Sequence, residues 1–292
     1  ILYKQYLSLK QGSTLVDCQG PNYVGSNWIS WGGSTPTQEL VDDYAMTNGK
    51  AITDPGSGYD PQNPYANREP RLSQSVLYNG NTFDGTVFLS AVGSGLNEID
   101  LADASDNTNT GYCTKKRMDT TVNIFQWGAS SQNYYFFRYA EVLLNYAEAQ
   151  NEAVGPDATV YSAMDQIRTR AGIPTFSDVY PGASQSEMRD LIRRERRIEL
   201  AFENKRYLDL LRWKIAEVNL NHVMHGMKIT PNGSGGYTYQ VIPAIPSGAP
   251  QCSFDPAKNY LLPIPFGVLG QDSKLTQNPG YAFLLSFFQF KM

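Results

Sequence analysis

Two spacings of apolar residues divide this chain, and the change falls near residue 135. Beyond it, apolar positions recur every three or four residues, which predicts amphipathic helices. A helix over Tyr135–Ala153 places Phe137, Ala140, Leu144 and Ala147 on one face and ends before Gly155-Pro156. A second, over Asp157–Arg170, carries Val160, Ala163, Met164 and Ile167 and stops at Gly172, with Pro174 just beyond. Two helices joined this tightly predict an antiparallel, tetratricopeptide-like pair, and Ala140 and Ala147 are small enough for close approach. A second pair follows. Ser184 and Glu187 frame a capping box opening a helix with Met188, Leu191, Ile192, Ile198 and Phe202 on its stripe. A bend at Asn204 or Lys205 then leads into Arg206–Leu220, with Leu208, Leu211 and Ile215 in phase.

Outside that region long periodic runs are few. A short helix is predicted at Pro36–Met46, with Pro in its first turn and Gly49 as its stop. Asp54-Pro55-Gly56, Asp60-Pro61, Asn63-Pro64 and Asn79-Gly80 are turn signals, so 50–85 reads as loop with one hairpin, and Thr86–Val92 as β-like. Past residue 220, Asn232–Gly236 is a flexible turn and Tyr237–Val241 alternates like a strand. Tyr260–Pro265 is held extended by its prolines, and Asn278–Tyr281 fits a type II turn. The apolar tail YAFLLSFFQF is too short to span a bilayer and reads as a terminal strand. The fold class is therefore mainly α, with tetratricopeptide-like helical pairs and a loop-rich, partly β-hairpin ligand side. It has three parts: a ligand-facing 1–134, a helical scaffold 135–220, and extended loops and short strands over 221–292.

Charge changes this picture at one place. Glu195 and Glu199 fall on the buried stripe of their helix, crowded by Arg189, Arg193, Arg194, Arg196 and Arg197. A lone buried carboxylate is costly, so either arginines neutralise the pair or the pair does chemistry. Acids at i and i+4 lie roughly 6 Å apart at Cβ, not far from the separation of a retaining glycosidase. The stripe is flanked by Ile, Leu and Phe instead of a ring-lined cleft, which favours ion pairs with Arg138 and with Arg196 or Arg212 that lock adjacent helices. The net charge of −4 and the interleaving of Glu with the basic residues of 189–214 point away from nucleic acid.

Composition adds an aromatic signal: 19 Tyr and 4 Trp, against two His and three Cys. Trp28 and Trp31 lie in GSNWISWGGSTPTQ, and Tyr23, Tyr59, Tyr65 and Tyr78 sit in equally polar, turn-rich surroundings. Flat rings among Gly, Asn and Ser suit stacking on the C–H faces of sugars, so these six are the candidate ligand-binding residues. The alternative for either Trp is packing against the scaffold, and Trp127 reads as core. Arg68 and Arg71 read as loop-fixing more than ligand-contacting. His222 and His225 read as a helix C-terminal cap before a metal pair, and Asp103, Ser105, Asp106, Asn107 and Asn109 resemble a calcium loop only loosely. Cys18, Cys113 and Cys252 have no metal-ligand spacing and define no disulfide framework. No cofactor is expected, and no nucleophile or phosphate-loop motif appears.

Seven blocks occur in order: PTQELVDDYAMTNGK (36–50), YDPQNPYANREPRL (59–72), RYAEVLLNYAEAQNE (138–152), IRTRAGIP (167–174), IRRERRIELAFENKRYLDLLRW (192–213), YLLPIP (260–265) and LTQNPGY (275–281). Together they resemble the SusD/RagB family of Bacteroidetes outer-membrane nutrient-binding lipoproteins. The resemblance implies capture of an oligosaccharide or polysaccharide (in some members a peptide) at the cell surface, without catalysis. It also implies a TonB-dependent, SusC-like transporter as partner. The membrane would be reached only through a lipid anchor on an N-terminal part that this sequence lacks; Cys18 has no lipobox before it. Two other functions remain open: a glycoside hydrolase using Glu195 and Glu199, and a tetratricopeptide-like scaffold for proteins or peptides.

Overall fold

The computed structural model describes residues 2–8, 10, 20–24, 27–28, 30–95, 97–99, 101, 108–119, 128–244, 252–272 and 274–281. The chain forms two compact units. One comprises Ile1–Asn204 with Met224–Ala249, the other Lys205–Val223 with Pro250–Met292.

The first unit opens with three short strands, β1 (Leu2–Lys4), β2 (Tyr23–Val24) and β3 (Asn27–Trp28). Helix α1 (Gln38–Asp43) is shorter than the predicted Pro36–Met46. Tertiary bonds cut it: Arg68 captures the carbonyls of Val41 and Tyr44, while the Ala45 N–H donates to Glu69 Oε1 at 2.9 Å. Those are the groups that another helical turn would have paired. After α2 (Pro70–Ser75) come β4 (Val76–Leu77), β5 (Thr82–Phe83), β6 (Thr86–Val87) and β7 (Cys113–Thr114). The β5–β6 hairpin turns on Asp84 and Gly85, both at positive φ (48° and 74°), as a type I′ turn demands. The β-like run thus ends at Val87, short of Val92.

The helical part begins later than its periodicity suggests. Tyr134–Phe137 forms β8, paired antiparallel with β1, and Arg138 is extended (φ −137°, ψ 164°) before α3 (Tyr139–Val154) starts. Four successive aromatics favour a strand once a partner is available, and that partner lies at the start of the chain, in Leu2–Lys4. The next helices follow their signals closely. Asp157 caps α4 (Ala158–Ala171), accepting from the Thr159 and Val160 N–H groups, and Gly172 ends it at φ 74°. Thr175 caps the single turn α5 (Phe176–Val179), and Ser184 and Glu187 close the capping box of α6 (Gln185–Glu199). The stripes of α3, α4 and α6 meet in one core around Leu144, Ala147, Met164, Ile167, Met188 and Ile192. Ile198, one helical turn before Phe202, leaves that core for a second cluster with Val41, Tyr44, Leu72, Tyr112 and Ile229 on the loop side. Phe202 itself is no longer helical, at φ 63°.

In the second unit the predicted Arg206–Leu220 helix is two: α7 (Arg206–Arg212) and α8 (Ala216–Leu220), broken where Lys214 adopts φ 56°. Leu208 is 62% exposed, whereas Leu210 packs with Ala216 and Phe254. The chain returns to the first unit as a hairpin of β9 (His225–Pro231) and β10 (Tyr237–Pro243), joined through the expected 232–236 turn. The second unit then adds α9 (Phe266–Gln271) and a turn in which Gly280 (φ 80°) follows Pro279, with Tyr281 N–H on the Asn278 carbonyl. The terminal tail lies beyond Tyr281, outside the described residues. No described helix is long and apolar enough to cross a membrane.

Asp157 yields a pH test of the helical pair. Hydrogen bonds from Thr159 and Gln150, with the Val160 N–H, hold its carboxyl at about 2, below its usual 3.8. A depressed acid contributes its stability above the unfolded value and loses it as pH falls through the folded one. Asp157→Ala should therefore lower the melting temperature at pH 7. The gap to wild type should close between about pH 4 and pH 2. A gap that persists at pH 2 would contradict the cap.

Candidate functional site

Glu195 and Glu199 are buried, and their oxygens are surrounded by guanidinium groups. Arg71, from α2, reaches Glu195 Oε1 at 2.6 Å, Glu199 Oε2 at 3.0 Å and Glu69 Oε2 at 2.7 Å. Arg138 meets Glu199 Oε1 at 2.6 Å and Glu203 Oε2 at 2.8 Å; Arg170 adds a third guanidinium to Glu199 at 2.6 Å, and Arg168 lies 3.6 Å from Glu195. Of the partners expected from sequence, Arg138 is present. Arg196 instead faces Glu141 and Asn145, and Arg212 pairs with Asp209 in the second unit. The decisive partner is Arg71, which spacing along α6 could not reveal. Burial pushes the Glu195 carboxyl up, but Arg71 and Arg168 outweigh it and hold the group below its ordinary value. A glycosidase acid needs a shift the other way. These carboxylates are neutralised anchors between helices and loops.

The loop side carries a different arrangement. Tyr65 and Tyr78 stack with ring centroids 4.2 Å apart, and Tyr239 meets Tyr65 edge-on at 5.7 Å. Tyr237 extends the row, 6.4 Å from Tyr239, because alternate residues of β10 share one face. The Tyr59 ring lies 5.6 Å from the Arg68 guanidinium, whose remaining bonds to the Pro64, Val41 and Tyr44 carbonyls fix the loop. Behind the row runs a relay. Tyr65 Oη donates to Tyr112 Oη (3.2 Å), Tyr112 to Gln38 Oε1 (2.6 Å), and Gln38 Nε2 to Asp42 (2.7 Å). Burial pushes the Tyr59, Tyr78 and Tyr239 phenols up, so all three stay protonated donors. Gln62 clamps the Tyr239 backbone through both its N–H and its carbonyl. Two close approaches seat Tyr112: a Cβ on Gly226 would meet the Thr110 backbone at 2.6 Å, and one on Gly111 would meet the Met227 carbonyl at 2.4 Å.

Of the six predicted residues, Tyr65 and Tyr78 therefore stack in one aromatic row, and Tyr59 packs against Arg68. The other three belong to the 20–32 segment. Tyr23 and Trp28 are register partners across β2 and β3, Asn97 bonds the Tyr23 backbone in both directions, and Trp31 is 41% exposed. Tyr237, Tyr239 and Tyr112 were absent from the sequence-derived set. The Tyr-Thr-Tyr alternation was the available signal for the first two, while Tyr112 is placed only by tertiary contact. His225 is no helix cap: it opens β9 and pairs with Glu39, Nδ1 to Oε1, at 2.7 Å. Among the described residues no cluster of three or more His, Cys, Asp or Glu is arranged to hold a metal ion. Trp127, Cys18 and Asp103, Ser105, Asp106 and Asn107 lie outside the described residues. Cys113 is buried and its thiol is pushed up to about 12 by that burial, so it is inert.

The sequence profile of the SusD family matches residues 3–281. SusD-like protein P2 of Formosa agariphila is 38% identical over 157 residues, which are 52% of this chain and 26% of that protein. A SusD-like protein of Bacteroides fragilis superposes with a TM-score of 0.75 at 29% identity, over 96% of this chain and 54% of its own. A SusD-like carbohydrate-binding protein of the same species gives 0.72 at 26% identity, over 94% and 54%. The chain thus spans about half the length of the solved relatives it matches.

If the buried charges act as anchors, removing their shared partner must be expensive. Arg71→Met removes the nearest cation of Glu69 and Glu195 and one of the three on Glu199, and should cost about 3–5 kcal/mol. The measurement is a urea midpoint that drops while the slope stays constant. A loss below about 1 kcal/mol would show that Arg71 is not their essential counter-charge.

Proposed function

Since the chain belongs to the SusD family, we propose that it captures an oligosaccharide by ring stacking and delivers it to a TonB-dependent transporter in the outer membrane, without catalysing a reaction. The observation that carries this reading is the tyrosine row on the loop side, half-buried and backed by a hydrogen-bonded relay. Sugar rings offer C–H faces to such a surface, and its protonated phenols with Gln62, Asn63 and Asp60 nearby offer partners for hydroxyls. In this arrangement Tyr59, Tyr78, Tyr237 and Tyr239 touch the ligand. Tyr65, enclosed by three rings, positions them. Trp31, with Tyr23 and Trp28 in its segment, forms a second contact region. Membership of the family supports the cell-surface location and the transporter partner, and a carbohydrate-binding relative in Bacteroides fragilis superposes over most of this chain.

Calorimetric titration with a panel of neutral plant and algal oligosaccharides tests the proposal. Tyr59→Ala and Trp31→Ala should each weaken binding about fivefold, the loss of about 1 kcal/mol of stacking. Unchanged affinity in both variants would defeat the stacking reading. Release of reducing ends from any panel member would defeat the non-catalytic one.

A further inference from the structure

A recess in the first unit is lined by charged residues and by none of the tyrosine row. It is a cavity of about 300 Å³ whose floor is Glu199 and Glu203 and whose walls include Arg71, Lys116, Arg117, Arg138, Arg170 and Tyr135. Its size is at the lower end for small-molecule sites. The floor acids are already saturated. Glu199 accepts from three guanidinium groups, and Glu203 accepts from Arg138 and from Lys116 Nζ at 2.7 Å. Burial would raise the Glu203 carboxyl, yet Arg138 and Lys116 hold it low.

The cations exceed the acids. Glu69, Glu195, Glu199 and Glu203 are met by Arg71, Arg168, Arg138, Arg170 and Lys116, and Arg117 stands beyond them. Among the described residues Arg117 has no carboxylate partner; its guanidinium lies 5.0 Å over the Tyr134 ring. Its position is fixed by the backbone, since the Lys115 and Lys116 N–H groups both donate to the Ser75 carbonyl at the end of α2 (2.9 and 3.2 Å) and Arg117 takes φ 69°. Arg170, with 59% of its side chain exposed, stands at the rim. The walls are not purely ionic: the half-exposed Tyr135 ring, Gln74 and Ser75 supply one flat apolar face and neutral hydrogen-bonding groups.

We propose that this recess is an anion subsite for one sugar residue bearing a carboxylate or a sulfate ester. The anion would be received by the forks of Arg117 and Arg170, and the sugar ring by Tyr135. Planar guanidinium groups recognise such oxygens bidentately, and low-dielectric walls sharpen the preference for a charged over a neutral residue. The proposal rests on the glycan reading for its ligand class, while its charge selectivity stands on the recess alone.

Titration of the protein with trigalacturonate, its methyl ester, a sulfated galactan trisaccharide and inorganic sulfate separates the possibilities. The acid should bind at least about tenfold more tightly than the ester in 50 mM salt and lose most of that advantage in 500 mM. Whether the sulfated trisaccharide shares the preference decides between carboxylate and sulfate ester as the natural anion. Arg117→Gln should abolish the preference. It should leave the melting temperature unchanged, because Arg117 is no part of the buried ion network. Equal binding of acid and ester, or a preference that survives Arg117→Gln, would overturn the subsite and leave the tyrosine row standing. Inorganic sulfate binding as tightly as either charged sugar would overturn the assignment to a saccharide. Failure of every saccharide to bind, in this titration and in the neutral panel, would remove the glycan reading as well.

Discussion

One guanidinium joins the two halves of the first unit. Arg71 leaves a six-residue helix on the loop side and enters the helical core, where it contacts Glu69, Glu195 and Glu199 within 3.0 Å. Three buried carboxylates could not be accommodated there without such a partner, because an unpaired buried charge costs several kcal/mol. The arrangement therefore holds α2 against α6 and, through Arg138, sets the start of α3. Stability of the scaffold and placement of the ligand-facing loops are thus one problem with one solution. The same charges line the recess beside it: its acids are satisfied, and among the described residues Arg117 is left without a carboxylate partner.

The tyrosine row depends on this anchoring at one remove. Arg68 and Glu69 follow the loop that carries Tyr59 and Tyr65, and they fix its return by capturing the end of α1. Val76 and Leu77, immediately after α2, are fully buried and put Tyr78 where it stacks on Tyr65. From the other side the β9–β10 hairpin brings Tyr237 and Tyr239, and Gly226 and Gly111 let the Tyr112 loop lie directly on β9. Rings drawn from four separate stretches of chain become one surface, with the Tyr65 and Tyr112 hydroxyls tied into the interior. A row built this way is rigid before any ligand arrives, which reduces the ordering cost of binding.

Local chemistry alone determined the helical scaffold: the Ser184 capping box, the Gly172 stop, the stripes of α3, α4 and α6, and the alternation of β10 all read directly from spacing. So did the conflict posed by Glu195 and Glu199, since buried acids on an apolar stripe demand an answer wherever they occur, and so did the ordered blocks that resemble the SusD/RagB family. Tertiary structure decided what supplied the answer. Arg71 lies more than a hundred residues before those acids, and β1 claimed the aromatics that helical periodicity had given to α3. Arg68 and Glu69 ended α1, and Tyr112 and Tyr239 joined Tyr65 from remote segments. Each of these outcomes is a contact between residues far apart in the chain. Periodicity and capping report only on neighbours within a few turns, so the partners that neutralise a charge or complete an aromatic surface become visible only once the chain has folded.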